Sequence, residues 1–337
     1  MSAELSDPVL HTNFKQLLAV LGDQPVAVVG HARPDGDCIG SQVALARVLR
    51  AVGHETICVN FNAVPRRLAF VARGENFITS DEVDDRNYDV IYVDCADQDR
   101  PGAKLRERFP NVLGNVDHHV SNTAYATHDC VASSAAATCE ILGSFFIDEN
   151  LPIDAQTAQA LYAGIITDTG QFRFSSTSHT TFKISAELMA HGADPAEAGY
   201  ELYEREPAGK MQLLQRFLAS FEMHAGGRIC LGSIGRGVFE ATETGAEDTE
   251  GLVDYARAIE GVEIGGLIEE REGSVKASLR ANDPKIRVDQ IAAKFNGGGH
   301  ACAAGLTMPG IPAEVFRREL VAALEARLAE VDAQELS

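Results

Sequence analysis

The chain is short of positive charge. Its 337 residues include 29 Lys and Arg against 49 Asp and Glu, a formal net charge of −20. Such a surface repels long nucleic acid, because sequence-independent duplex binding needs clustered Lys and Arg. Long duplex DNA is therefore excluded as a partner, and an anionic ligand must be small and gripped by local cations inside a cleft. No apolar run approaches the roughly 18 residues that cross a bilayer, so no membrane partner is expected. The opening Met1-Ser2-Ala3-Glu4-Leu5-Ser6-Asp7 lacks the basic start and apolar stretch of a signal peptide. Paired Cys-x-x-Cys motifs are missing as well. The seven cysteines are scattered and odd in number, which argues against a disulfide framework or zinc knuckle and for reduced thiols in the cytoplasm. Internal repeats and low-complexity segments are absent too.

What is present suits a two-domain globular protein, with 45% hydrophobic residues. Apolar strands are predicted at 26–30, 56–61, 88–94 and 111–116. Helical spacing runs over 37–52, stopped by Gly53, and over 133–142, 154–166 and 178–190. Strands separated by helices imply a parallel sheet covered on both faces. Ser133-Ser134 reads as a helix N-cap, leaving a helix start that could meet a phosphate. Residues 195–223 read as helices with little strand potential, broken at Pro207. Strands at 228–233, 263–270 and 274–279 and helices at 288–295 and 313–328 complete a smaller α+β unit, and the acidic 245–251 stretch reads as a surface loop. The expected domains are residues 15–195 and 224–330, joined by a helical linker over 196–223.

Chemistry concentrates at strand ends. His31-Ala32-Arg33-Pro34-Asp35-Gly36-Asp37 follows the first apolar strand. Asp94 closes the strand at 88–94, Asp117-His118-His119 closes the next, and Asp168 lies in Gly164-Ile165-Ile166-Thr167-Asp168-Thr169-Gly170. Carboxylates at buried strand ends must be paired or coordinated, and open α/β sheets place ligands at that end of the strands. Taken alone, Asp94 reads as a turn or cap residue. Oxygen and imidazole donors together suit Mn²⁺, Fe²⁺, Co²⁺ or Zn²⁺, and a set without thiolate favours Mn²⁺. The number of donors suggests two ions about 3.5–4 Å apart sharing a carboxylate, an arrangement suited to displacement at phosphorus.

In order, His31-x-x-Pro34-Asp35-x-Asp37, Asp94, Asp117-His118-His119 and Thr167-Asp168-Thr169-Gly170 resemble the four motifs of the DHH phosphoesterase superfamily. Gly297-Gly298-Gly299-His300 resembles the signature of its DHHA1 substrate domain. The resemblance covers residues 15–330 and is closest to the nano-RNase and pAp-phosphatase branch. Cys38 departs from the small residue, often Ala, that the family mostly has there, and it reads as packing in the first helical turn.

The resemblance implies an N-terminal parallel-sheet DHH domain, an α+β DHHA1 domain and an active site in the cleft between them. It implies two divalent ions, Mn²⁺ first, with Mg²⁺ or Co²⁺ as substitutes. His31, Asp35 and Asp94 would hold one, and Asp37, Asp94, His118 and Asp168 the other, so that Asp94 bridges. Asp117 would orient, and His119 would donate to a phosphate oxygen or assist the leaving group. Substrate would be held by Gly297, Gly298, Gly299, His300, Ser278 and Arg280, with Lys276 on their face and Arg173 reaching in from the first domain. The implied activity is hydrolysis of short RNA oligonucleotides to 5′-mononucleotides, and of 3′-phosphoadenosine 5′-phosphate (pAp), by a hydroxide activated between the ions. The rivals, in order, are a cyclic or linear dinucleotide phosphodiesterase, a pyrophosphatase and an inactive nucleotide-binding protein. The membrane-anchored cyclic-dinucleotide enzymes carry N-terminal segments that are missing here, and no Ser-Arg-Lys-Lys-like run marks a pyrophosphatase. A homodimer is compatible with the resemblance, but no surface in the sequence selects it.

Overall fold

Val26–Val29 is a run of four small or β-branched apolar residues, all of them buried. A strand apolar on both faces needs cover on both. The computed structural model, which describes residues 8–335, provides it; the signal-peptide reading of residues 1–7 lies outside that span. Strands β1 (Val26–Val29), β2 (Thr56–Asn60), β3 (Phe77–Thr79), β4 (Asp89–Val93), β5 (Gly114–Asp117) and β6 (His128–Val131) form a parallel sheet in the order β3-β2-β1-β4-β5-β6. Around it lie helices α1 (Pro8–Ala19), α2 (Gly36–Ala51), α3 (Ala103–Arg108), α4 (Thr138–Asp148), α5 (Ala155–Asp168), α6 (His179–Ala190) and α7 (Pro195–Gly199). Val28, Ile91, Val93 and Val116 pack with Ile39, Leu142 and Leu161 in one core, while Ala27, Val29, Val90 and Tyr92 pack with Leu105 and Phe109 in another. The alternation along each strand is the two-residue pleat. Strand order reverses between β1 and β4, and the crevice beyond their C-terminal ends is where such a sheet binds ligands.

The chain divides into two compact units between Arg205 and Glu206. The second contains helices α8 (Ala208–Ala219), α9 (Val238–Thr242), α10 (Leu252–Arg257), α11 (Val288–Ala293) and α12 (Ala313–Glu335). Its sheet is mostly antiparallel, in the order β11-β12-β10-β9-β8-β7, built from β7 (Glu222–His224), β8 (Ile229–Ile234), β9 (Ile264–Arg271), β10 (Ser274–Ala281), β11 (Gly298–His300) and β12 (Ala303–Pro309). No helix among the described residues is long and apolar enough to cross a membrane.

Several local expectations are corrected. Helix α4 starts at Thr138, not at 133, and has no side-chain cap of its own. Its first amides donate instead to Asp37, a residue of α2. That interaction makes Ser133-Ser134 unnecessary as a cap and leaves no free helix start for a phosphate. Strand β7 (Glu222–His224) corrects the helical reading of 195–223 at its end, and strands β3, β6 and β12 and helices α1, α3 and α9 are not among the predicted elements; tertiary pairing overrides weak local propensity there. The predicted strand at 111–116 begins only at Gly114. Gly298–His300 is an edge strand, and the amide of Gly297, expected to help hold substrate, already donates to Ala292 O at 2.9 Å.

Candidate metal centre

The chain leaves β1 through Gly30 into His31, and Asp35 caps α2 by accepting the Cys38 amide at 3.1 Å. Asp37 follows within the first turn of α2. Two close approaches bring that turn against α5. A Cβ on Gly36 would lie 2.4 Å from the Thr167 side chain, and one on Gly164 would lie 2.2 Å from Cys139 Sγ and 2.9 Å from Asp37 Oδ1. Only glycine permits either contact, and the result sets Asp37 beside Asp168. At the end of β4, Asp94 adopts φ +58°, a left-handed conformation that Asp tolerates better than most residues. Its amide donates to Val116 O at 2.9 Å across the neighbouring strand.

The sequence-predicted donors converge. His31, Asp35 and Asp94 form one cluster, and Asp37, His118 and Asp168 form a second, each with ligand atoms within 4.8 Å of one another. Asp94 faces both: Oδ2 lies 3.3 Å from His31 Nε2 and Oδ1 lies 3.6 Å from His118 Nε2. His118 Nε2 is also 3.2 Å from Asp168 Oδ2 and 3.9 Å from Asp37 Oδ2. Asp37 is 0% exposed and Asp94 2%.

The residues fit divalent metal. His31 Nδ1 donates to Ala32 O at 3.0 Å, which leaves Nε2 to take either a metal ion or a proton; burial opposes charging the ring, but Cys38, Asp35 and Asp94 raise it when no metal is there. Nε2 is buried without a hydrogen-bond partner and faces two carboxylates. A lone pair aimed at carboxylate oxygens is repulsive unless a cation or proton stands between them, and a ring N–H on a backbone carbonyl is the usual support of a metal-binding imidazole. The electrostatics agree. Burial, with Asp94 and Asp168 beside it, pushes the Asp37 carboxyl well up. Burial likewise raises Asp168. Burial opposes charging His118, but Asp168, Asp37 and Asp94 outweigh it and lift the imidazole to about 10. Burial also raises Asp35, yet His31 and the Cys38 amide prevail and hold it at about 2. Burial pushes the nearby Cys38 thiol up to about 11 and Cys139 well above its usual value.

Asp117 and His119 form a separate pair. His119 Nδ1 donates to Asp117 Oδ1 at 2.7 Å, and Asn122 Nδ2 donates to the other carboxylate oxygen at 2.6 Å. Those bonds outweigh burial and lower the Asp117 carboxyl, while the bond to Asp117 raises His119. With Nδ1 engaged, the half-buried ring has Nε2 free to act. His119 also lies near Asp94 and His118.

Three contributors were missed. Thr138 donates its amide to Asp37 Oδ2 at 2.6 Å and its hydroxyl to Asp94 Oδ1 at 3.1 Å. The Cys139 amide donates to Asp37 Oδ1 at 2.8 Å. Asn122, three residues beyond the Asp-His-His run, was the one with a local signal, as an amide side chain in the turn following a motif.

The residues expected to hold substrate lie apart in sequence and are placed separately. In the first unit, Gly170, Gln171 and Phe172 are successively left-handed and turn the chain back, so that Arg173 Nε donates to Gly170 O at 2.7 Å. In the second unit, Lys276, Ser278 and Arg280 are half-buried positions alternating with the core residues Val275, Ala277 and Leu279. Arg280 pairs with Ala303 across the sheet and Ala303 with His300, while Ser278 pairs with Gly305 and Gly305 with Gly298. Arg280, Ser278, Gly298 and His300 therefore share one sheet face, and Gly299 alternates to the other. Among the described residues neither Arg280 nor Arg173 has a carboxylate partner; Arg280 donates to Leu279 O at 3.1 Å.

Residues 25–165 match the family model of the DHH family N-terminal domain, and residues 236–330 match that of the DHHA1 domain. A bifunctional oligoribonuclease and PAP phosphatase, NrnA, of Thermus thermophilus is 31% identical over 303 residues, which are 89% of this chain and 90% of that protein. A crystal structure of an exopolyphosphatase-related protein from Bacteroides fragilis aligns with a TM-score of 0.85 at 20% identity, covering 98% of each chain. The structure of RecJ from Thermus thermophilus in complex with Mn²⁺ aligns with a TM-score of 0.56 at 17% identity, covering 97% of this chain and 56% of that one.

Proposed function

The chain belongs to the DHH family, with a DHH domain followed by a DHHA1 domain, and on that premise we propose that it hydrolyses short RNA oligonucleotides to 5′-mononucleotides and dephosphorylates pAp. The carrying observation is the double donor cluster at the reversal of strand order, with one oxygen of Asp94 turned to each half. The relationship to an enzyme named oligoribonuclease and PAP phosphatase supports the substrate class.

His31, Asp35 and Asp94 would hold one divalent ion, and Asp37, Asp94, His118 and Asp168 a second. Oxygen and imidazole donors without thiolate favour Mn²⁺, with Mg²⁺ or Co²⁺ as substitutes, and a fold neighbour was crystallised with Mn²⁺. Such ions supply charge neutralisation at the phosphoryl oxygens and make water acidic enough to attack at neutral pH. The remaining steps belong to side chains. His119, protonated on both nitrogens and oriented through Nδ1–H by Asp117, which raises it, would present Nε2–H to a phosphoryl or leaving oxygen and give up that proton as the P–O bond breaks. Asn122 keeps Asp117 ionised and in place. Thr138 and Cys139 hold Asp37 through backbone amides and so fix α4 against α2. Arg280, with Ser278, Gly298 and His300 on its sheet face, would grip a substrate phosphate and base; Gly299, on the other face, is left out of that grip, and Arg173 is engaged with Gly170 O in the first unit. Gly297, its amide committed, permits close backbone packing: a Cβ there would lie 2.4 Å from Gly305 O. The excess of acidic residues keeps long duplexes away. Seven free cysteines, six of them buried, fit a reducing compartment, and we place the enzyme in the cytoplasm.

Product analysis with Mn²⁺ tests this reading on four substrates in parallel: a 5′-labelled dinucleotide, a 24-mer RNA, pAp and pyrophosphate. Fast loss of dinucleotide and pAp with slow loss of the 24-mer is expected. Pyrophosphate as the sole substrate, or no turnover at all, contradicts it.

A further inference from the structure

One carboxylate in the second unit is fully buried and has no part in the chemistry above. Glu269 of β9 is 0% exposed. It accepts Arg271 Nη2 at 2.7 Å, and from the facing position of β10 it accepts Lys276 Nζ at 2.9 Å. A buried anion needs a compensating cation, and Arg271 already supplies one. Lys276 is a second, so the trio carries a net positive charge, and the Lys276 side chain remains 30% exposed. Lysine on a flexible stem is costly to order; here a buried carboxylate orders it.

The fixed ammonium stands on a particular face. Lys276, Ser278 and Arg280 all point away from the core formed by Val275, Ala277 and Leu279. Lys276 pairs with Thr307, Ser278 with Gly305, and Arg280 with Ala303. Ser278 lies between the two cations, and beside it the floor is glycine, Gly305 and then Gly298. A Cβ on Gly298 would meet nothing within 4 Å, and one on Gly305 would meet only Ala277 O, at 3.8 Å. Four residues along a strand separate Lys276 from Arg280, about 13 Å. Both heads are tethered, one to Glu269 and one to Leu279 O. A single phosphate cannot occupy both positions across that distance, but a nucleotide chain laid over the open glycine floor can.

We propose that Lys276, locked by Glu269, is a second phosphate contact, one that engages a linkage beyond the one gripped at Arg280 and His300. It thereby sets how well the enzyme uses oligoribonucleotides longer than two residues. The inference rests on the oligoribonuclease reading.

The test compares kcat/KM for a 5′-phosphorylated dinucleotide and a tetranucleotide of the same base, using the full chain with Mn²⁺. Lys276→Gln leaves Glu269 neutralised by Arg271, and it is expected to lower the tetranucleotide-to-dinucleotide ratio about tenfold, the loss of one charge-assisted contact. It should also make the salt dependence for the tetranucleotide shallower by about 0.7 in log–log slope. Lys276→Arg should restore the ratio. Lys294→Gln removes an exposed charge at the end of α11, a helix whose Ile291 and Ala292 pack on the opposite face, and should leave the ratio alone. An unchanged ratio in Lys276→Gln, an equal fall for both substrates, or an equal shift in Lys294→Gln would overturn the assignment. Wild-type protein that cleaves neither oligonucleotide would instead remove the oligoribonuclease reading on which it rests.

Discussion

The two units handle charge in opposite ways. In the first, acids and imidazoles are buried, crossed by backbone amides and aimed at one another: Asp37 accepts two amides of α4, and Asp94 accepts the Thr138 hydroxyl while facing two histidines. In the second, Arg280 and His300 stand on an open face with no carboxylate partner among the described residues, above a floor of glycine. A buried, mutually repelling set stores a demand for cations, whereas an open cationic face stores a demand for anions. On the proposed assignment, catalysis and recognition are separable by mutation.

The sharpest break of that contrast is Asp94→Ala. It removes the carboxylate shared by both clusters, and kcat should fall at least roughly 10⁴-fold, as when one member of a cooperating set is lost; single-turnover rates check it. His119→Ala should lower kcat by about 10²-fold or more, the contribution of a positioned acid, with Mn²⁺ stoichiometry intact by equilibrium dialysis. Asp117→Asn should follow it, because the carboxylate that orients the His119 imidazolium and raises it is gone. Arg280→Gln belongs to the other unit and should raise KM about 10- to 100-fold through one lost charged contact, with kcat little changed in steady-state assays. A kcat defect there would dissolve the separation. Thr138→Val should weaken Mn²⁺ binding about tenfold, the lower end for a group that supports a ligand, in a metal titration. The smallest effect is on stability. In metal-free protein the His118 imidazole is lifted from 6.5 to about 10 by its carboxylates. Its folded value lies above its unfolded one, so its stabilisation is complete below 6.5 and disappears as pH rises to about 10. The Tm of metal-free protein should fall across that window, and Mn²⁺ should flatten the fall by replacing the proton.

The convergence of the candidate donors was legible because each sits in a short run with its own local logic: for His31, Asp35, Asp37, Asp94 and His118 an apolar strand and then a carboxylate or imidazole, and for Asp168 the end of an apolar helix. His31, Asp35 and Asp37 lie within one turn and its approach, and parallel strands separated by helices bring such ends to one edge. The parallel sheet was legible from the same apolar runs. What supports the donors was not. Thr138 meets Asp37 across 101 residues, and nothing near either marks the other. The Ser133-Ser134 pair carried the right propensity for a cap, but a buried carboxylate from α2 took the amides of α4 instead. The three-residue edge strand at Gly298–His300 has no strand propensity and exists through its pairing with β12. Glu269 reads in sequence as one more acid in an acidic chain, and only the facing position of Lys276 reveals it.

The most direct test of the metal-centre account is a Mn²⁺ titration of wild-type and Asp94→Ala protein, followed by electron paramagnetic resonance. The account predicts two ions per wild-type chain with an exchange-coupled signal, and loss of the coupling, together with at least one ion, in Asp94→Ala. A wild-type chain that binds one uncoupled ion or none, or an Asp94→Ala chain that keeps the coupled pair, would contradict it.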